Sequence, residues 1–293
     1  MPTPAKCHLL VGLPSAGKTT FLAAFWYVVK NATSHDALRI QVLPDDQGYL
    51  NGICDVWMKG KPQQRTPSGH VHQVSMRLVD PATNLAADIV FPDLSGEMFG
   101  QQWAHRQWAA EYDALARTAA GMMLFIHPQY IEDACNIADI ARGVNILTDG
   151  AKSPCASGVP AQDLQRATPW DPLRAPTQVV LIDLVQFMVG EPCWLPKMKV
   201  CVVVSAWDLV ERQGKPPGQW LKAEMALLYQ YLTTNIRTIE YCVFGVSAQG
   251  GDLGNEETRK LLLDEAEPAK RIRVFNGTGE RSDITMPIRW LQA

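Results

Sequence analysis

The sequence carries little net charge and no long basic run. Its 293 residues have a net charge of −3, and the densest cationic stretch is the short run 270–273. A nucleic-acid-binding surface needs many more cations, so nucleic acid is not expected as the main ligand. The uncharged stretches are far shorter than the roughly 18 residues of a membrane-spanning helix, and no membrane span is expected.

Cysteine pairs at metal-binding spacing are lacking as well. The seven cysteines include no C-x-x-C pair, and their number is odd. Several lie in apolar runs such as 200–204, which is typical of buried thiols in a reducing compartment. His70 and His72 share one predicted strand face but have no partners at metal-ligand spacing. Because Lys18 interrupts the N-terminal apolar segment, no signal peptide is expected, and the predicted location is cytoplasmic.

What the sequence does contain is a phosphate-binding loop. Residues 12–19 read Gly-Leu-Pro-Ser-Ala-Gly-Lys-Thr, which fits the pattern G-x-x-x-x-G-K-[ST]. Gly12 and Gly17 allow a tight turn that points backbone N–H groups at a polyphosphate. Lys18 would reach the β- and γ-phosphates, and the Thr19 hydroxyl would bind Mg²⁺. The remaining residues of the predicted phosphate site are Pro14, Ser15, Ala16 and Thr20.

Strand-like and helix-like segments alternate along the chain, which predicts an α/β fold with a mostly parallel sheet. Strands are predicted at 7–11, 71–79, 87–91, 121–126, 199–204 and, as the last one, 241–246. Helices are predicted at 19 to about 30, 101–119, 130–142, 177–189, 217–234 and 286–291. The segment 71–91 has the pattern of one antiparallel hairpin, and the Pro/Ala/Ser-rich segment 150–176 is predicted to be a flexible surface excursion.

An acidic residue ends the second hairpin strand, three residues before a glycine. Asp93 would hold Mg²⁺ through water, and the Gly96 N–H would bond to the γ-phosphate. When that phosphate leaves, the bond is lost and the segment that follows is free to relax. The D-x-x-G pattern is weak alone, but its place after a phosphate loop and a hairpin favours a nucleotide switch.

A second acidic residue, Asp208, follows the apolar strand 199–204. A carboxylate accepts hydrogen bonds from both N1–H and N2–H₂ of guanine, which adenine cannot supply, so Asp208 is predicted to read the base. Ser247 and Ala248 follow the next strand and would place a backbone N–H on guanine O6. The alternative for Asp208 is a helix N-cap or a surface acid.

In their order, the segments 12–19, 93–96, 205–208 and 247–248 resemble the Ras- and Arf-like P-loop GTPases of the TRAFAC class. More narrowly, the loop with its helix and the Asp-Leu-Ser-Gly-Glu at 93–97 resemble the bacterial double-GTPase families. Those families are predicted components of conflict or anti-phage systems, encoded beside a second GTPase-like protein. The resemblance covers 6–128 and 197–293.

This resemblance implies a P-loop NTPase three-layer sandwich, a Ras-like G domain over 1–293 with a large insertion at about 129–196. It implies a switch that binds GTP or GDP with Mg²⁺ and acts through a second GTPase-like or effector protein. It also implies a switch I threonine that closes over Mg²⁺. Thr66, in the polar loop before the hairpin, is the candidate, and Thr33 and Thr83 are its rivals.

The sequence departs from the family pattern in ways that point to slow turnover. Ser205 and Ala206 replace the asparagine and lysine of the guanine motif, so the lysine stem that covers the base is missing; Trp207 is the candidate replacement. Glu97 stands where many relatives carry the glutamine that orients the attacking water, and its charge opposes the charge that develops on the phosphate. Pro14 has no N–H to offer. A partner, or an arginine that it supplies, is expected to accelerate hydrolysis.

Two other functions remain open at this point. The chain could hold GTP as an assembly subunit without hydrolysing it, or it could be a P-loop ATPase or small-molecule kinase. The helix after Glu97 is a candidate partner surface through Trp103 and Trp108, and burial of both tryptophans in the core is the alternative.

Overall fold

The computed structural model describes ten ranges of the chain: 6–32, 37–44, 46–63, 72–84, 86–93, 96–108, 110–133, 172–190, 197–277 and 279–293. Several predictions lie outside the described residues. They are the switch I candidates Thr66 and Thr33, His70, most of the helix predicted at 130–142, and the excursion at 150–176 up to residue 171.

A nine-stranded sheet runs through the described residues in the order β2-β3-β4-β1-β5-β6-β7-β8-β9. The strands are β1 (Lys6–Val11), β2 (Arg39–Val42), β3 (His72–Val79), β4 (Ala86–Asp93), β5 (Ala119–Ile126), β6 (Met198–Ser205), β7 (Ile239–Ser247), β8 (Arg273–Phe275) and β9 (Glu280–Arg281). The neighbours from β4 through β1, β5 and β6 to β7 are all parallel. The predicted α/β class and mostly parallel sheet are confirmed.

The antiparallel part of the sheet is larger than predicted. The hairpin of β3 and β4 is present, with β2 added antiparallel outside it. At the other edge β8 pairs antiparallel with β7, and β9 with β8, so β7 is not the last strand. The strands β8 and β9 have three and two residues, which is too short to produce a readable alternation of side chains.

The helices of the described residues are α1 (Lys18–Asn31), α2 (Gln47–Met58), α3 (Gly96–His105), α4 (Ala110–Thr118), α5 (Thr177–Val189), α6 (Pro217–Glu224), α7 (Ala226–Thr234), α8 (Glu256–Leu263) and α9 (Met286–Gln292). The single helix predicted over 101–119 is wrong. Helix α3 ends near Arg106, whose φ of 55° cannot continue a right-handed helix, and α4 begins afterwards. The helix predicted at 217–234 is likewise divided, at Met225.

The sheet is covered on both faces, which confirms the predicted three-layer sandwich. One apolar cluster packs α1, α2 and α9 against one face, and a second packs the helices α3 to α7 against the other. The side chains of β1 alternate between them, with Leu10 in the first cluster and Leu9 and Val11 in the second. Within the ranges that the structure describes, no helix is long and apolar enough to cross a membrane.

Candidate functional site

A cleft of about 860 Å³ lies at the edge of the sheet where the parallel strands end. The register aligns these ends: Val11 pairs with Leu124, Ile126 with Val204, and Ser205 with Val246. The residues that follow β1, β5, β6 and β7 therefore meet in one place. Ligands of open α/β sheets bind at the carboxyl ends of the strands, and this cleft has that position.

The predicted phosphate loop forms one part of the cleft. The side of the loop that lines it runs from Pro14 through Ser15, Ala16, Gly17, Lys18 and Thr19 to Thr20. Ser15 and Gly17 have φ values of 61° and 92°, the left-handed turns that fold the loop back before α1 begins. A Cβ on Gly17 would lie 2.9 Å from the Cβ of Ser205, so β6 closely supports the loop.

Gly12 and Lys18 are held together inside the loop. Lys18 Nζ donates hydrogen bonds to the carbonyl oxygens of Gly12 at 2.7 Å and Leu13 at 3.3 Å. The same nitrogen lies 5.6 Å from the centre of the Phe99 ring, and Lys18 is only 6% exposed. Gly12 itself is buried and does not line the cleft, so its contribution is the carbonyl that positions the lysine.

The start of α3 lies directly on the phosphate loop. A Cβ on Gly96 would be 2.3 Å from Pro14 N and 2.5 Å from Pro14 Cα, so only glycine fits there. Glu97 lines the cleft, and the fully buried Phe99 covers Lys18. Gly96, the glycine of the predicted D-x-x-G pattern, thus lies at the loop, and β4, which ends at Asp93, pairs parallel with β1.

Two of the residues predicted to hold magnesium belong to elements at this end of the cleft. Thr19 lines the cleft, and Asp93 ends β4, whose carboxyl end lies at the same edge of the sheet. Hydroxyl and carboxylate oxygens, completed by phosphate and water, are the donors that Mg²⁺ takes. Thr83 belongs to the turn at the other end of the eight-residue strand β4, about 25 Å away at 3.3 Å per residue, and is not a candidate ligand.

The predicted base-reading residues come together at the other end of the cleft. The Ser247 hydroxyl donates to the Asp208 carboxylate, and Ser247 Oγ accepts the Gly250 N–H at 3.2 Å. Ala248 lines the cleft beside them, and its carbonyl accepts the Nε1–H of the buried Trp57 at 2.9 Å. Asp208 is therefore no helix N-cap, since its side chain bonds across to the end of β7.

The two residues before Trp207 also line the cleft. Ser205 donates its hydroxyl to the carbonyl of Ile126 at 3.2 Å, and Ala206 adopts a left-handed φ of 46°. Ser205 thus ties β6 to β5 beneath the loop. The asparagine of the family's guanine motif, which Ser205 replaces, would carry a side-chain amide at this position.

Trp207 does not have the predicted position. Its side chain is 1% exposed and does not line the cleft. It packs on Gly245, where a Cβ would lie 2.3 Å from Trp207 Cδ2, and its ring centre lies 6.4 Å from that of Trp220. The packing surface predicted for the base must come from elsewhere, because the left-handed turn at Ala206 directs the indole into the core.

Several lining residues were missed by the sequence reasoning. They include Lys61, Pro62, Gln63, His127, Gln129, Tyr130, Leu209 and Arg259. His127 follows β5 directly, so the rule that strand ends form the site could have found it. Its Nδ1 accepts the Gln129 N–H at 3.2 Å, and burial lowers the pKa of the imidazole while the charge of Asp208 opposes that shift.

Trp103 and Trp108 are half-buried against α5 and the residues before it. Trp103 Nε1 donates to the Pro172 carbonyl at 2.6 Å, and the Trp108 ring lies 5.3 Å from that of Phe187. Between them Arg106 forms an ion pair with the buried Asp183. These contacts favour the interpretation that both tryptophans are packing residues.

The fold and the cleft define a P-loop nucleotide-binding protein. Residues 9–291 match the family model described as Double-GTPase 1. Because this match covers nearly all of the 293 residues, the chain belongs to the Double-GTPase 1 family. Membership in this family supports the binding of GTP. A search of curated protein sequences finds no match.

The chain also has partial similarity to solved structures. They include bacterial selenocysteine-specific elongation factor EF-Sec, at 11% identity and a TM-score of 0.37, covering 90% of this chain and 30% of that one. Methanosarcina barkeri Roco2 RocCORdC bound to GDP has 12% identity and a TM-score of 0.36, covering 90% and 50%. The signal recognition particle receptor SRb-GTP/SRX complex from Chaetomium thermophilum has 13% identity and a TM-score of 0.36, covering 89% and 99%. The chain thus spans less than two thirds of the first two proteins.

Proposed function

We propose that this chain is a guanine-nucleotide switch that hydrolyses GTP slowly alone and faster with a partner. The observation that carries the proposal is the Asp208–Ser247 pair, which lies in the same cleft as the phosphate loop. ATP chemistry needs no carboxylate held at this position. The proposed unit is one G domain over 1–293 with an insertion at about 129–196.

The Asp208 carboxylate is suited to reading guanine. Ser247 donates one hydrogen bond to Oδ1 and thereby orients the group, and a carboxylate has further lone pairs for the N1–H and N2–H₂ of the base. Hydrogen bonds to a charged group contribute about 1.5–3 kcal/mol each, so two of them would favour guanine over adenine by roughly two to four orders of magnitude. Trp57 fixes the backbone of Ala248, whose N–H would meet O6.

The phosphates would lie on the loop. Lys18 and the N–H groups at the start of α1 would bind them, and the Gly96 N–H would bind the γ-phosphate. Thr19 and Asp93 would hold Mg²⁺, with Thr66 proposed as the switch I ligand; when bound, the ion neutralises charge on the β- and γ-phosphates. Because Gly96 touches Pro14, a change at the γ-phosphate would be transmitted to α3.

Slow turnover follows from the residues around the γ-phosphate position. Glu97 can accept a proton from the attacking water, but its negative charge opposes the charge that develops on the phosphate. Pro14 lacks the N–H that would otherwise stabilise that charge. We propose that a second GTPase-like or effector protein supplies a cation at the γ-phosphate, within a bacterial conflict or anti-phage system. The free, buried thiols Cys7, Cys54 and Cys201 fit a reducing compartment, and the proposed location is the cytoplasm.

The substitution Asp208→Asn tests the base reader. An asparagine places its N–H₂ donor opposite the C2 amino group of guanine, which also donates, so GDP affinity should fall about 100-fold, while XDP, which carries an accepting carbonyl oxygen at C2, should bind better than to the unaltered protein. Isothermal titration with GDP, XDP and ADP measures all three affinities. Asp252→Asn is the matched control, because Asp252 is an exposed carboxylate that lines the same cleft. Unchanged base preference in the Asp208 variant contradicts the proposal.

The nucleotide that co-purifies separates the switch from its alternatives. Bound GDP with slow GTP hydrolysis is the result expected for the switch. Retained GTP without turnover would indicate the assembly subunit that holds GTP, and a preference for ATP would place the chain among P-loop ATPases. Glu97 and Pro14 are the residues that favour the non-hydrolysing subunit as the second candidate.

A further inference from the structure

The base-reading end of the cleft needs a surface that covers the flat face of a purine. Ala206 has only a methyl group there, and Trp207 is packed in the core against Trp220. Hydrogen bonds at the purine edge leave both π-faces in contact with water unless an apolar or aromatic group lies on one of them. The cleft should therefore contain an apolar or aromatic group near Asp208.

His127 and Tyr130 are such a group. Both line the cleft, and their ring centres lie 4.6 Å apart at an interplanar angle of 41°. Asp208 lines the same cleft as the pair, and its charge acts on the His127 imidazole. Tyr130 is 59% exposed, and among the described residues it is the most exposed aromatic side chain.

The pair is also positioned before any ligand arrives. His127 Nδ1 accepts the Gln129 N–H at 3.2 Å, which fixes the ring plane and leaves the proton of the neutral imidazole on Nε2. Tyr130 ends a short 3₁₀ turn, Pro128–Tyr130, in which its own N–H bonds to the His127 carbonyl at 3.1 Å. A rigid aromatic surface loses little conformational entropy when a base is placed on it.

We propose that His127 and Tyr130 cover the purine ring of the nucleotide bound at Asp208, in place of a lysine stem at position 206. This inference rests on the proposed function, since it assumes a nucleotide with its base at Asp208. The two roles differ in kind. Stacking acts on any purine because every purine has a π-face, whereas the Asp208 carboxylate distinguishes one purine edge from another.

That difference provides the test. Tyr130→Ala and the double variant with His127→Ala should bind GDP about tenfold more weakly, and the ratio of GDP to XDP affinity should not change. Tyr130→Phe, which keeps the ring, should bind GDP like the unaltered protein. Inorganic pyrophosphate, which has no base, should bind equally to all variants. Titration calorimetry with the full chain measures each affinity, and Ile236→Ala is the control for loss of an exposed apolar side chain, at 64% exposure outside the cleft.

Each outcome decides one point. GDP affinity that is unchanged in both Tyr130→Ala and the double variant overturns the aromatic pair. An equal loss for GDP and pyrophosphate also overturns it, because Tyr130 would then act by supporting the phosphate loop. If the unaltered protein binds ADP as tightly as GDP and Tyr130→Ala weakens both, the pair is supported and the guanine-specific function is not.

Discussion

The two ends of the cleft are built in different ways. The phosphate end comes almost entirely from one continuous segment, 12–20, with Gly96 packed on it. The end proposed to bind the base is assembled from residues that follow three different strands, Tyr130 after β5, Asp208 after β6 and Ala248 after β7. One end is encoded locally, and the other exists only once the sheet has aligned its strand ends.

This difference suggests a division of roles, in which the phosphate end provides affinity for any nucleotide and the base end provides selectivity among nucleotides. At the phosphate end most predicted donors are main-chain N–H groups, so few side chains matter and they matter for every nucleotide. At the base end the contacts depend on side chains from separate elements, and each one can be altered without unfolding the loop. Substitutions at the first end should abolish binding of all nucleotides, while those at the second should change which nucleotide binds, or how tightly.

The largest effect is expected for Lys18→Ala at the phosphate end. Removing an ammonium that would bond to the β- and γ-phosphates should weaken non-hydrolysable GTP and ATP analogues alike by at least about 100-fold, since charged hydrogen bonds contribute about 1.5–3 kcal/mol each. Titration with both nucleotides measures it. Lys260→Ala, at an exposed position of α8 outside the cleft, is the control. If the substitution weakened the binding of only one of the two nucleotides, the proposed division of affinity and selectivity between the two ends would be wrong.

A smaller effect is expected for Gly96→Ala, where α3 meets the phosphate loop. The added Cβ would lie 2.3 Å from Pro14 N, so α3 must move off the loop. We expect a loss of about 1–3 kcal/mol in the free energy of unfolding and a roughly tenfold fall in GTP turnover, with GDP affinity nearly unchanged. Chemical denaturation and phosphate release measure the two effects.

Gly218→Ala is the matched control for this change. Gly218 lies in α6 with no atom within 4 Å of an added Cβ, so alanine there should stabilise the protein by about 0.5–1 kcal/mol. If Gly96→Ala behaves like Gly218→Ala, the contact between α3 and the loop has no part in turnover.

The same division explains how much could be predicted from the sequence. The phosphate loop, β1, α1 and α5 have strong local patterns, and the structure has them within one or two residues of their predicted bounds. Asp208, Ser247 and Ala248, which were predicted because each follows an apolar strand, also line the cleft. Helix α2 was not predicted from the sequence. Its apolar side chains face other elements, and its start depends on the N-cap residue Asp46, whose Oδ1 accepts the Tyr49 N–H at 3.2 Å.

The residues that could not be predicted depend on tertiary contacts. His127 and Tyr130 follow a recognisable strand, but nothing local indicates that they line the same cleft as Asp208. Trp207 was placed at the base because it lies between two lining residues, Ala206 and Asp208. The left-handed φ of 46° at Ala206 turns the Trp207 side chain into the core instead. Such a φ at a residue other than glycine is set by the surrounding fold.

The smallest effect is expected for Trp57→Phe, which tests the tertiary assembly of the base end. Trp57 Nε1 donates to the Ala248 carbonyl at 2.9 Å, while its ring lies 4.7 Å below the guanidinium of the buried Arg271. Phenylalanine keeps an aromatic ring there and removes the hydrogen bond. We expect GDP affinity to fall about three- to tenfold, because the Ala248 backbone is no longer fixed, with pyrophosphate affinity unchanged.

Trp26→Phe is the matched control for this comparison. Trp26 is also fully buried in the same apolar cluster, and its Nε1 donates to Asn51 Oδ1 at 3.1 Å, away from the base end. Both variants should lose about 1–2 kcal/mol in the free energy of unfolding, because each replaces a fully buried indole by a smaller ring and removes its Nε1–H hydrogen bond. Only Trp57→Phe should weaken GDP. Equal GDP affinity in the two variants would mean that the base end does not depend on α2, and that the strand ends alone position Ala248.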